Sequence, residues 1–89
     1  MALEENEIYL EPKYDNRKSF YKKAKIRTIK GGFVLISYVT EVAKIINGKA
    51  IVYSLFSNTT TRHIKEFLHQ NSFEVGTSKQ IMEKYGLKE

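Results

Sequence analysis

Gly31-Gly32-Phe33-Val34-Leu35-Ile36-Ser37-Tyr38-Val39-Thr40-Glu41-Val42-Ala43-Lys44-Ile45-Ile46-Asn47-Gly48 is the stretch that decides the fold. Glycine at 31 and 32 supplies the positive φ of a tight turn, and Asn-Gly at 47 and 48 is the strongest short hairpin signal, since both central positions of a type I′ turn need a left-handed backbone. Between the two turns the segment is rich in Val, Ile, Phe and Tyr and has strand propensity throughout, and over residues 33–36 both faces are apolar. This predicts one long, bent middle strand paired with a neighbour on each side, a three-stranded antiparallel meander. The neighbours are residues 20–29, where Phe20, Ala24, Ile26 and Thr28 share one parity, and residues 49–56. Residues 7–11 alternate as a short strand ahead of Pro12, so that 1–12 is either an extra strand or a loosely held terminus.

Beyond Phe56 the apolar period changes from 2 to 3.6. Ser57, Asn58, Thr59 and Thr60 offer caps, and Thr60, Ile64, Phe67 and Leu68 form one stripe of a helix. Arg62, Lys65, Glu66 and His69 fall off that stripe and read as solvated. Thr77 with Gln80 forms a capping box for a last helix carrying Ile81, Met82 and Tyr85, stopped at Gly86, with Phe73 and Val75 plugging the junction. The expectation is a single α+β domain over 1–89, a small antiparallel β-sheet covered by one or two C-terminal α-helices. With 89 residues there is room for one core only.

Composition narrows the chemistry. Cysteine is absent, which removes disulfides, thiolate metal sites and cysteine nucleophiles. His63 and His69, six positions apart, sit on different sides of a helix and cannot share a metal. Hydroxyls at 57 and 59–61 are explained as helix caps, and no glycine begins a phosphate-cradling loop. No enzyme, cofactor or metal is expected. The acidic start lacks a signal peptide, and the longest nearly uncharged run, residues 31–40, is about half of the ~20 residues that span a bilayer. The reading is a cytoplasmic protein with no membrane partner.

Charge is segregated. The net charge is +5. Residues 12–32 hold eight bases, Lys13, Arg17, Lys18, Lys22, Lys23, Lys25, Arg27 and Lys30, against Asp15 alone, a local +7, while the remainder is −2. A segregated charge describes a face that meets an anion. On an extended strand Lys23, Lys25 and Arg27 lie about 6–7 Å apart on one side with Tyr21 available for stacking. Arg17, Lys18 and Lys22 continue the charge around the edge. The leading expectation is therefore nucleic-acid association through these seven residues, and the bland alternative is a solvated sheet face whose lysines discourage edge pairing. As solvated positions, Lys23, Lys25 and Arg27 should tolerate charge reversal. The rival function is a protein-interaction or inhibitor module docking on an acidic surface of a larger host protein. Arg62, His63 and Lys65 form a secondary polar cluster open to either use. A long apolar middle strand on so small a sheet also offers edge-to-edge pairing into a homodimer. A helix-turn-helix is disfavoured, because residues 72–76 make too long a turn.

Residues 14–24, Tyr14-Asp15-Asn16-Arg17-Lys18-Ser19-Phe20-Tyr21-Lys22-Lys23-Ala24, with Tyr38-Val39-Thr40-Glu41-Val42-Ala43, Thr60-Thr61-Arg62-His63-Ile64-Lys65-Glu66-Phe67-Leu68, Gln70-Asn71-Ser72-Phe73 and Ser78-Lys79-Gln80-Ile81-Met82, resemble a small uncharacterised domain family of Gram-positive bacteria, their phages and mobile elements. The resemblance implies a cytosolic accessory protein and transfers no catalytic residue. The family pattern has Gly after Gln70-Asn71, where this chain has Ser72, so a weakened helix cap is expected there.

Overall fold

The computed structural model describes residues 6–15, 20, 22–54 and 57–87. Five strands, β1 (Glu7–Tyr9), β2 (Ala24–Ile29), β3 (Gly32–Ser37), β4 (Thr40–Ile46) and β5 (Lys49–Val52), precede α1 (Asn58–Gln70) and α2 (Ser78–Tyr85). The strands form one sheet in sequence order, every neighbouring pair antiparallel, an α+β arrangement.

The expected long middle strand is two strands. The chain reverses at Tyr38-Val39, with Ser37 opposite Thr40. Tyr38 takes a left-handed φ of 59° and Val39 is 76% exposed. Neither residue carries a turn signature, which is why the apolar run reads as continuous. Val42 is the extra residue of a bulge, since Leu35 pairs with Ala43 and Ile36 with Glu41. Val42 and Ala43 are consequently both buried.

The Asn47-Gly48 turn is as expected, with φ of 50° and 79°. At the other hairpin the two turn residues are Lys30 and Gly31, while Gly32 already pairs as the first residue of β3. A Cβ on Gly32 would collide with the Ile45 carbonyl, so close approach of β4 rather than turn geometry requires glycine there. β2 begins at Ala24 and not at 20, because Lys22 adopts a φ of 53° and the Lys23 N–H turns back to the Phe20 carbonyl.

Alternation settles which side of β3 meets the helices. Leu35 packs with Ala24, Ala43 and Val52 against Ile64, Phe67 and Leu68 of α1 and Ile81 of α2. Val34 and Ile36 point to the helix-free side, yet are buried there, in register with Arg27 and Lys44 and with Lys25 and Glu41. Ser57 caps α1 and the Thr77–Gln80 capping box starts α2. Phe73 packs against the core edge-on to the Tyr85 ring, whereas Val75 is exposed and plugs nothing. At the end of α1, Ser72 takes the left-handed φ of 67° that glycine would take more easily. The Phe73 N–H bonds to Leu68 O at 2.9 Å and the Ser72 N–H to His69 O at 3.1 Å, so the cap is complete despite the serine. After α2 the Leu87 N–H bonds to Val52 O, pinning the end of the described chain to β5.

Candidate nucleic-acid interface

Strand alternation places Lys25 and Arg27 on the helix-free face, as their parity required. They are not free there. Glu7, opposite Arg27 in the β1–β2 register, has a side chain only 1% exposed, and its carboxylate accepts from Arg27 Nη2 at 2.8 Å and from Lys25 Nζ at 3.4 Å. Arg27 Nη1 also reaches Glu41 at 3.3 Å. Two cations thus face two carboxylates, and the picture of an open basic stripe is corrected. A buried carboxylate is held only where cations and donors compensate it, so these groups form a unit that a phosphate would have to dismantle. The Tyr53 hydroxyl is pushed above its ordinary pKa by burial and then by the charge of Glu41. Lys23 is no strand residue. It lies exposed with Lys22 in the turn before β2. Arg17, Lys18 and Tyr21 lie outside the described residues.

The secondary cluster of Arg62, His63 and Lys65 divides in two. His63 is fully buried, a correction to its place in a polar cluster open to a partner. Its Nδ1 lies 2.8 Å from Ser37 Oγ, which is 2.9 Å from Thr60 Oγ1, and its ring meets the edge of Phe20 at 4.8 Å between centroids. Which ring nitrogen donates follows the tautomer. A serine hydroxyl beside an imidazole resembles a nucleophile and its base. Ser37 is 2% and His63 0% exposed, so no substrate reaches the pair in this structure, and it joins β3 to α1 instead.

Glu66 is the second correction. It is buried, and it collects three donors: the backbone N–H of Lys13 at 2.9 Å, that of Tyr14 at 3.1 Å, and Gln70 Nε2 at 2.6 Å. Gln70 Nε2 also donates to Glu11 O at 2.7 Å. This carboxylate ties residues 11–14, an arm leaving β1, to the flank of α1. Tyr14 is thereby laid on His69, ring centroids 3.6 Å apart and planes 19° from parallel, and a groove forms between Tyr14, Asp15, Arg62, Lys65, His69 and Val75.

The fold therefore joins bases that the sequence separates. Tyr14 on the arm shares a groove with Arg62 and Lys65 on α1, the backbone of Lys13 is held by Glu66 of the same groove, and Phe20 packs against His63 nearer the start of α1. The chemistry available is electrostatic and stacking, with exposed or half-exposed cations beside an exposed ring. Sequence reasoning missed Glu66 and the Tyr14–His69 stack. No local pattern announces the stack, because Tyr14 and His69 meet only through tertiary packing.

Among the described residues no group of three or more His, Asp or Glu side chains is placed to hold a metal ion, and no helix is long and apolar enough to cross a membrane. No curated protein and no solved structure matches the chain. Residues 8–84 match the model of a family of unknown function, from the edge strand β1 to the last turn of α2 and including the arm and the groove. The chain belongs to that family, DUF8033.

Proposed function

We propose that the protein is a small, non-enzymatic, cytosolic binding protein of a bacterial or phage setting that associates with nucleic acid through the arm-side flank of α1, not through β2. The observation that carries this reading is the Glu66 clamp, which brings Lys13 beside the groove of Arg62 and Lys65. Lys22 and Lys23, exposed in the turn before β2 and not on the paired strand face, add bases further along the chain, and Arg17 and Lys18 are their neighbours in sequence. Phosphates attract such a cluster without any need for sequence readout.

The test is fluorescence anisotropy of labelled DNA and RNA titrated with protein at about 50 and 200 mM salt. With four phosphate contacts the affinity should fall by about 50- to 150-fold across that range. The double variant Arg62→Glu/Lys65→Glu should abolish most binding, whereas Lys49→Glu, on the far hairpin, should leave it nearly intact. Loss of binding in both variants alike, or none in either, refutes the assignment.

A second reading is favoured by a different observation. Tyr38 and Val39 are 47% and 76% exposed at the tip of the β3–β4 hairpin, Tyr38 in a strained left-handed conformation, and the Tyr38 N–H bonds to Lys23 O at 2.7 Å. An apolar tip beside Lys22 and Lys23 suits insertion into an acid-rimmed groove of a host protein. Absence of nucleic-acid binding at the lower salt would favour it.

A further inference from the structure

We infer that the nucleic acid is single-stranded and that one of its bases stacks on the solvent face of Tyr14; this rests on the function proposed above and adds the ligand class. Tyr14 is the observation. One face of its ring is occupied by His69, and with 61% of the residue exposed the other face is open. An exposed phenol normally turns freely, but this one is laid on the His69 ring beneath it, and its backbone is held by its own N–H on Glu66. A ring held flat before the ligand arrives loses little entropy on binding, which is what a stacking platform requires.

The surroundings select the ligand. Arg62 and Lys65, three positions apart on α1, have Cβ atoms about 5–6 Å apart and line the same groove as the ring. Asp15 lines the groove too. In a duplex each base is already covered above and below by its neighbours, and only sugar and phosphate reach a protruding ring. A single strand can turn one base out onto Tyr14 while its phosphates follow the cations. Aromatic stacking is indifferent to base identity, so the site discriminates strandedness and not sequence.

The experiment compares a labelled single-stranded 12-mer with its duplex at about 50 mM salt, using wild type, Tyr14→Leu, Tyr14→Phe and Arg62→Ala/Lys65→Ala, each confirmed as folded by circular dichroism. Tyr14→Leu should weaken single-strand binding by about 5- to 150-fold and change duplex binding less than about twofold. Tyr14→Phe, which keeps the ring, should retain single-strand affinity. The Arg62→Ala/Lys65→Ala variant should weaken both ligands. Should Tyr14→Leu bind the single strand as wild type does, or lose both ligands equally, the stacking inference fails while the proposed function survives on the cation variant. Binding of neither ligand by wild type overturns both.

Discussion

Removing the Glu66 carboxylate should detach the arm from α1 and cost about 2–4 kcal/mol. Three donors converge on it at 2.6 to 3.1 Å, and a hydrogen bond to a charged acceptor contributes about 1.5–3 kcal/mol net. Two of those bonds hold the arm. In Glu66→Ala the freed N–H groups of Lys13 and Tyr14, both exposed residues, turn to water and recover part of the loss. The one buried methylene that is lost adds about 0.8 kcal/mol, and relief from burying a charge subtracts a comparable amount. Glu66→Gln keeps one accepting oxygen but sets an amide donor against the donors already there, and should cost about 1–2 kcal/mol. At roughly 4–8 °C per kcal/mol for a domain of this size, Glu66→Gln should melt about 5–15 °C lower. Urea unfolding followed by circular dichroism gives the free energies. Proton NMR supplies the local readout, since the ring-current shifts of Tyr14 on His69 should vanish in Glu66→Ala while the core methyl shifts of Leu35 and Phe67's neighbours stay in place. If Glu66→Ala unfolds within 0.5 kcal/mol of wild type, a margin typical of surface changes, and the Tyr14–His69 shifts persist, the carboxylate does not hold the arm and the interface built on it has no foundation.

Lys25→Glu with Arg27→Glu should lower stability by about 3–5 kcal/mol, because two new carboxylates would face Glu7, whose side chain is 1% exposed, and a melting temperature within a few degrees of wild type would contradict the pairing. Ser72→Gly should raise stability by about 0.5–1 kcal/mol, because the left-handed φ of 67° is strained for serine and ordinary for glycine, and an unchanged or lower urea midpoint would refute the cap geometry. Tyr53 should ionise above the ordinary tyrosine range, and the sign follows from its raised pKa: the neutral phenol is favoured by folding, so this contribution is complete below about pH 10 and is lost as pH rises through the folded-state value. The absorbance difference near 295 nm between wild type and Tyr53→Phe should therefore titrate above pH 10, and a midpoint at or below that would contradict the burial.

What was legible in the sequence is what a few neighbouring residues determine. Asn47-Gly48 makes its turn because both residues tolerate a positive φ, and Thr77 with Gln80 caps α2 because donor and acceptor are three residues apart. The stripe of Thr60, Ile64, Phe67 and Leu68 is buried because helical period alone aligns it. The sheet's class followed from the same local rules, and its strand count did not. The reversal at Tyr38-Val39 has no local signature and is held by β3–β4 pairing with its bulge. His63 borders the stripe and is buried against Phe20 and Ser37, and Glu66 sits off it, yet is buried because the arm, 52 to 53 residues away in sequence, covers that flank of α1. The same distance effect undid the basic strand. Lys25 and Arg27 are cations in any reading, but whether they meet solvent or a buried Glu7 depends on a β1–β2 register spanning 18 to 20 residues. Residue type and short-range spacing fix turns, caps and helical faces through backbone sterics and local hydrogen bonds. Burial and charge neutralisation belong to the pairing of distant segments, and only the tertiary structure decides which charges remain free to bind.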